Sequence, residues 1–188
     1  KGQINQFKKI FSNGDRFGVN INYVEQSSPR GLPEAFILGE KFIGKDKVAL
    51  ILGDNFFYGQ SLTQILKKNI SLKNGAKIFI HPVKNPSLYG VATLGKNKKV
   101  LNLKEKPKNS KSNLAVTGLY FFDNKVVDLT KKLKPSKRGE LEIIDLLKVY
   151  KRKNKLKAEF IGRGGSWLDT GSINDFYDAS NFISTIEN

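Results

Sequence analysis

The chain has 188 residues and a formal net charge of +16, with 39% hydrophobic and 11% aromatic residues. That is enough chain for one ordinary domain, and the composition of a globular protein rather than a disordered one. Cysteine is absent, which excludes disulfides and thiolate metal sites and agrees with a cytoplasmic protein. No apolar run approaches a membrane span and no signal peptide opens the chain.

Methionine is also absent, even at position 1. The opening "KGQINQFKKIFSNGDRFG" reads like the middle of a domain, with Phe7, Ile10 and Phe11 on one helical face. A missing N-terminal portion is therefore expected. The positive charge raises nucleic-acid binding, but the lysines are scattered over polar helix faces and turns. They are neither clustered with arginine nor interleaved with stacking aromatics. The reading is a solvated surface that attracts small polyanions, with no nucleic acid and no membrane as partner.

Strand-like and helix-like segments alternate along the first half. "INYVEQ" (21–26) reads as a strand, and "LPEAFILGEKFIG" (32–44) as a helix with Pro33 in its first turn and Gly44 at its stop. "KVALIL" (47–52) is a continuous apolar run, as for a strand buried on both faces of a parallel sheet. Leu62, Ile65 and Leu66 mark a short helix, and "AKIFIHPV" (76–83) a further strand. This order predicts an α/β layered domain.

After residue 83 the character changes. "YGVATLGKNKKVLNLKEKP" (89–107) reads as a hairpin and "AVTGLYFF" (115–122) as a buried strand. Asp123 is placed to cap a helix carrying Val126, Leu129 and Leu133. A helix is expected over 139–153, a strand over 158–162, a loop over 163–172, and a last helix with Phe176, Ala179, Ile183 and Ile186 in register. No repeat or low-complexity tract interrupts the chain.

Several polar residues sit where chemistry happens. Asp54 follows the apolar run "VALILG", at the carboxyl end of a strand, where open α/β sheets bind ligands. It reads either as a turn cap or as a ligand for a hard divalent cation, with Asn55 orienting it or adding an oxygen. Asp169 in "WLDTG" has a similar setting, with Trp167 able to pack beneath. Two carboxylates plus phosphate oxygens are what magnesium favours. In "KEKP" (104–107), Glu105 suits sugar hydroxyls and Lys106 a sugar phosphate, with Pro107 holding Lys106 extended. Standing alone, the pair would read as an exposed ion pair. Gln26 carries the donor and acceptor needed to read a base edge, and Gly31 permits close backbone approach. His81, the only histidine, reads as structural.

In this order, "EQSSPRGLPEAFILGEKFIG", "VALILGDNFFYG", "KEKPKNSKSNLAVTGLYFFDNKVV", "RGELEI", "GRGGSWLDTG" and "ASNFISTIEN" resemble the sugar nucleotidyltransferases, most closely the branch that transfers a thymidylyl group. The resemblance covers nearly the whole chain. It implies a Rossmann-like α/β fold, a mixed, mostly parallel sheet flanked by helices, with a β-rich sugar-binding portion. Residues 1–188 would form one catalytic domain, incomplete at its N-terminus, with 1–83 the remainder of the nucleotide-binding half and 84–188 the sugar-phosphate half.

The implied reaction joins dTTP and glucose 1-phosphate into dTDP-glucose and pyrophosphate, in deoxysugar and polysaccharide biosynthesis. By motif match, Asp54 and Asp169 would hold Mg2+, and Gln26 and Gly31 would contact thymine. Lys106 would bind the sugar phosphate, with Tyr89, Gly90, Glu105, Val116, Glu140 and Trp167 around the sugar. A homo-oligomer, a tetramer by resemblance, is implied as well. The family's glycine-rich G-x-G-T-R-L loop is absent, so this polypeptide alone is expected to be inactive. "PE" at 33–34 and "GS" at 165–166 also depart from the family pattern. Two rival readings are a non-catalytic sugar-nucleotide-binding module and a uridylyltransferase of the same fold.

Overall fold

The computed structural model describes residues 2–162 and 164–187. In chain order the elements are α1 (Ile4–Phe11), α2 (Glu34–Leu38), α3 (Glu40–Ile43), β1 (Val48–Ile51), β2 (Asn55–Tyr58), α4 (Leu62–Ile70), β3 (Ala76–Pro82), β4 (Gly90–Leu94), β5 (Val100–Glu105) and β6 (Leu114–Phe122). They continue with α5 (Val126–Lys131), α6 (Ile143–Arg152), β7 (Leu156–Phe160), β8 (Ser166–Asp169) and α7 (Ile173–Glu187). Short 3-10 turns cover Asp15–Phe17, Pro86–Leu88 and Lys96–Lys98.

The centre is β6, nine residues long and buried along nearly its whole length. It runs antiparallel to β3 on one side and to β1 and β4 on the other. β5 extends the sheet as an antiparallel hairpin partner of β4, and β7 runs parallel to β3. Strands β1, β3, β4 and β7 therefore share one direction, while β5 and β6 oppose them. The mixed α/β architecture expected from the sequence is present, but its ladders are mostly antiparallel, with β3–β7 the one parallel ladder among the described residues.

Alternation along β6 builds two cores. Val116, Tyr120 and Phe122 join Ile78 and Ile80 of β3, Phe36, Ile43, Val126 and the inner face of α6 in the larger one. Leu119 and Phe121 turn the other way, with Phe79, and are covered by Ile65 and Leu66 of α4 and Phe57 of β2. Helices thus lie on both faces, as layered α/β packing requires. No helix among the described residues is long and apolar enough to cross a membrane.

Several local expectations are corrected. Residues 21–26 form no ladder with any described strand and run as an irregular, mostly exposed segment. The helix expected over 32–44 breaks at Gly39 into α2 and α3, because Gly39 leaves helical geometry at φ −85°, ψ 7°. β1 pairs antiparallel and is not buried on both faces: Val48 and Leu50 face the core, whereas Ile51 is 59% exposed. Asp123 does not cap α5. It is buried and accepts from the Gly75 N–H, the Lys125 N–H and the Tyr150 hydroxyl, tying β3, β6 and α6 together.

The helix expected from 139 begins at Ile143, because Glu142 is extended at φ −93°, ψ 131° and the Glu140 carbonyl accepts the Ser136 N–H at 2.8 Å instead of a helical bond. The strand expected over 158–162 is β7, starting earlier at Leu156. The loop expected over 163–172 contains β8, which pairs with β2 as a separate two-stranded sheet; Arg163 lies outside the described residues. In α7 only Ala179 of the four aligned apolar residues is fully buried, and Phe176 is exposed.

Candidate functional site

Glycine and small residues on β6 leave room over the sheet. Val116, Gly118 and Tyr120 floor a cavity of about 350 Å³. Its walls come from three places. The β4–β5 hairpin brings Tyr89, Gly90, Glu105 and Lys106; the segment before α6 and that helix's first turn bring Arg138, Glu140, Glu142 and Ile144; and β8 brings Trp167 and Asp169.

The hairpin register sets Gly90 opposite Glu105. Strict alternation would separate Glu105 from Lys106, yet both line the cavity. The reason corrects the sequence reading: Lys106 is not extended before Pro107 but adopts a left-handed φ of +39°, with its N–H donated to the Tyr89 carbonyl at 3.0 Å. That strained turn brings the ammonium-bearing residue round to the side of Glu105. Burial raises the Glu105 carboxyl above its ordinary range, the Glu142 charge adds to this, and Lys106 and Arg138 oppose it.

Arg138 is a residue that sequence reasoning missed. Its Nη2 donates to both oxygens of Glu142 at 3.0 Å, and Glu140 stands 3.5 Å away. Ser136 Oγ steadies Glu142 from behind at 2.8 Å. A planar guanidinium at the edge of the cavity suits a phosphate better than a point charge does. Its signal lay in "RGELEI", of which the sequence reading placed 139 onward in a helix and gave Arg138 no role.

Gln26 and Gly31 line a second cavity of about 610 Å³ with Val24, Leu38 and Phe42. Leu32 and Glu140 line both cavities, so the two lie side by side. Their junction is tight. Gly31 has φ +95°, and a Cβ there would stand 2.1 Å from the Leu141 carbonyl oxygen, so only glycine fits. Gln26 donates Nε2 to Glu34 at 2.5 Å. The departure at 33–34 therefore has a consequence: Glu34 fixes the amide and leaves the Gln26 carbonyl as the acceptor towards a ligand.

The two aspartates meet through the β2–β8 ladder. Asn55 is opposite Asp169 in register. Thr170 donates both its N–H and its hydroxyl to the Asp54 carbonyl, each at 2.8 Å. A Cβ on Gly171 would stand 3.1 Å from Asp169 Oδ1 and 3.9 Å from Asp54 Oδ2, so both carboxylates face one small space. Burial raises the Asp169 carboxyl, the charges of Asp54 and Asp175 reinforce the rise, and the Gly171 N–H and Lys106 oppose it.

Among the described residues no group of three or more His, Cys, Asp or Glu gathers for a metal. The pair nonetheless fits magnesium, which takes one or two carboxylates and completes its shell with water and phosphate oxygens. Two hard oxygen donors crowded together, one of them pushed up partly by the other's charge, are a donor set that a divalent cation relieves.

Trp167 is buried with its ring 5.2 Å from Tyr89 and 6.2 Å from His81. His81 sits in β3 with burial lowering its pKa, as a packing residue. The residues expected around the sugar and its phosphate, Tyr89, Gly90, Glu105, Lys106, Val116, Glu140 and Trp167, line the first cavity; of the two expected cation ligands, Asp169 lines it as well and Asp54 flanks it through Asn55.

The family model of nucleotidyl transferases matches residues 2–186. A glucose-1-phosphate thymidylyltransferase of Neisseria meningitidis serogroup A is 48% identical over 182 residues, 97% of this chain and 63% of the relative. Its counterpart in Mycobacterium tuberculosis is 46% identical over 181 residues, 96% of this chain and 62% of the relative. A crystal structure from Bacillus anthracis, described as a glucose-1-phosphate thymidylyltransferase in complex with sucrose, aligns with a TM-score of 0.85 at 35% identity, covering 95% of this chain and 71% of that one. A UDP-glucose pyrophosphorylase solved with UDP-glucose aligns with a TM-score of 0.79 at 26% identity, covering 96% and 73%. The chain spans 63% of the length of the first of these relatives. With the family model matched from end to end of the described fold, the chain belongs to the nucleotidyl transferase family.

Proposed function

We propose that these residues form the sugar-phosphate pocket and the cation-binding carboxylates of a glucose-1-phosphate thymidylyltransferase. The reaction joins dTTP and glucose 1-phosphate into dTDP-glucose and pyrophosphate, for deoxysugar and polysaccharide biosynthesis. The observation that carries the reading is the pairing of Asn55 with Asp169, which brings two aspartates 115 positions apart in numbering to the edge of a cavity holding Glu105, Lys106 and Arg138.

Each residue then has a task. Lys106 and Arg138 neutralise and orient the sugar phosphate, while Glu105 and Glu140 accept hydroxyls of the ring. Leu52, Leu88, Val116, Ile144 and Trp167 exclude water around it. Gln26 and Gly31 receive the base in the adjoining cavity. The sugar-phosphate oxygen attacks the α-phosphorus of dTTP in line and pyrophosphate departs on the opposite side, so no covalent enzyme intermediate is needed. Positioning and charge neutralisation carry the rate. Magnesium held by Asp54 and Asp169 supplies neutralisation of the phosphate oxygens. Residues 1–83 serve the nucleotide and 84–188 the sugar phosphate, in a cytoplasmic homo-oligomer that resemblance makes a tetramer.

Calorimetric titration with glucose 1-phosphate and with dTDP-glucose tests the pocket: both bind, and Lys106→Ala weakens both. Failure of either to bind the unaltered chain overturns the reading. Turnover is not expected from these 188 residues, because no glycine-rich triphosphate loop occurs in them. Formation of dTDP-glucose by the chain alone would refute that part. The likeness to a UDP-glucose pyrophosphorylase favours one second reading, uridylyl specificity. Comparing dTDP-glucose with UDP-glucose in the same titration separates them, with the thymidine compound binding more tightly.

A further inference from the structure

Asn55 stands between the two parts of the site and uses every polar atom of its side chain. Its Oδ1 accepts the Gly118 N–H at 2.9 Å and the Trp167 Nε1–H at 2.6 Å. Its Nδ2 donates to Asp54 Oδ1 at 2.9 Å. The oxygen is therefore already committed to the cavity wall, which removes Asn55 from the set of cation ligands and leaves it as the group that turns Asp54. The fit is close, since a Cβ on Gly118 would stand 2.4 Å from Asn55 Oδ1. Trp167 and Asp169 lie on the same four-residue strand, paired to the strand that Asn55 opens.

We propose that Asn55 is a positioning residue that holds the Asp54 carboxylate towards Asp169 and at the same time fixes Trp167 in the sugar-pocket wall. The cation pair and the pocket are then aligned by one amide. The inference rests on the reading of Asp54 and Asp169 as a cation pair. A carboxylate ligand with one oxygen held by an amide N–H loses rotational freedom and presents the other oxygen, the Oδ2 that faces the space beside Gly171. Partners of this kind, one step removed from the ion, commonly tune metal affinity by tenfold or more.

The chain has one tryptophan, so its indole N–H gives a single resonance in a nitrogen-15 correlation spectrum. In the labelled 188-residue chain, Mg2+ is expected to shift the amides of Asp54 and Asp169, the Nδ2 protons of Asn55 and the Trp167 indole. In Asn55→Ala the indole proton moves upfield before any cation is added, and Mg2+ affinity falls by about tenfold or more. Trp167→Phe keeps the contact between Asn55 and Asp54, and by calorimetry it weakens Mg2+ binding far less. An Asn55→Ala chain that binds Mg2+ as the unaltered one does, or loses no more affinity than Trp167→Phe, overturns the proposal. Should Asn55→Ala not fold, the unaltered chain decides: Asn55 Nδ2 signals that stay fixed through Mg2+ saturation overturn it. A chain in which Mg2+ moves neither aspartate defeats the cation reading itself, and this inference with it. An indole unmoved by Asn55→Ala defeats this inference alone.

Discussion

Residues 2–31 and the sheet around β6 stand at opposite extremes of packing within one chain. α1 has a strongly amphipathic pattern yet buries none of its residues, and the segment that follows it makes no ladder with any described strand. β6, by contrast, is buried from Ala115 to Phe122 and contacts three strands. The difference teaches where the two halves of the site get their rigidity. The sugar-side cavity is floored by β6, buried along nearly its whole length, whereas Gln26 hangs from an exposed loop and is tied to the fold by its hydrogen bond to Glu34 of α2 and by Gly31 against Leu141. A sugar-phosphate pocket preorganised by the core, beside a base pocket shaped largely by loops, follows from that contrast.

The contrast is broken most directly at Phe122. Its ring is fully buried between Phe36 at 5.2 Å and Tyr150 at 5.6 Å. Phe122→Ala is expected to cost about 3–5 kcal/mol in denaturant unfolding, through lost burial and the cavity left behind. A cost near that of a surface substitution would show that β6 is not the keystone.

Gly31→Ala comes next. The left-handed φ alone costs roughly 1–3 kcal/mol for a residue with a side chain, and the new methyl group would collide with the Leu141 carbonyl. The two cavities should then separate, so that affinity for a sugar nucleotide spanning both drops more than affinity for glucose 1-phosphate. Equal losses for both ligands would mean that the junction does not join base and sugar.

How much of this was legible in the sequence divides along the same line. Strands with many same-face apolar residues, β3 and β6, were readable because core burial and local pattern agree there. Asp54 and Asp169 were readable as strand-end carboxylates. Their meeting was not, because β2 and β8 are four residues each, too short for alternation to register, and their pairing spans more than a hundred residues. Arg138 was hidden in a segment whose apolar spacing mimics the start of α6. What stops the helix there lies outside the apolar spacing: Glu142 is extended, and the Glu140 carbonyl accepts the Ser136 N–H rather than a helical donor. Lys106 was misjudged because a left-handed residue before proline runs against local steric preference. Such exceptions are expected where geometry serves a site rather than stability.

A smaller pair of effects sharpens the comparison in charge rather than packing. Asp169 has its carboxyl raised, chiefly by burial, so ionising it opposes folding. Stability from this group is lost as pH climbs from the ordinary carboxylate range through the raised value. Asp169→Asn should therefore melt at a higher temperature than the unaltered chain at pH 7 and match it in strong acid, while losing Mg2+. Glu159 lies on β7, outside the site. Burial acts to raise it, but Lys77 at 3.1 Å, with Lys68 and Asn69, lowers it overall. Its contribution is present above the ordinary carboxylate range and lost as pH falls through the lowered value, so Glu159→Gln should melt lower at pH 7 with the deficit closing in acid. An Asp169→Asn chain that melts lower than the unaltered one at pH 7 would contradict the first assignment, and a Glu159→Gln chain that melts higher would contradict the second.

The smallest effect is expected at Phe7. Half of its surface is exposed, its stacking neighbour Phe11 at 6.3 Å is part of the same short helix, and nothing in the described core touches it. Phe7→Ala should change unfolding stability by no more than about 0.5 kcal/mol. If α1 contributes as little as its packing indicates, amide exchange in Ile4–Phe11 will be fast while that of Ala115–Phe122 follows global unfolding. A loss at Phe7 comparable to that at Phe122 would mean that α1 is held by contacts beyond those of the folded chain alone, such as a second copy of it. Melting temperature would then depend on protein concentration.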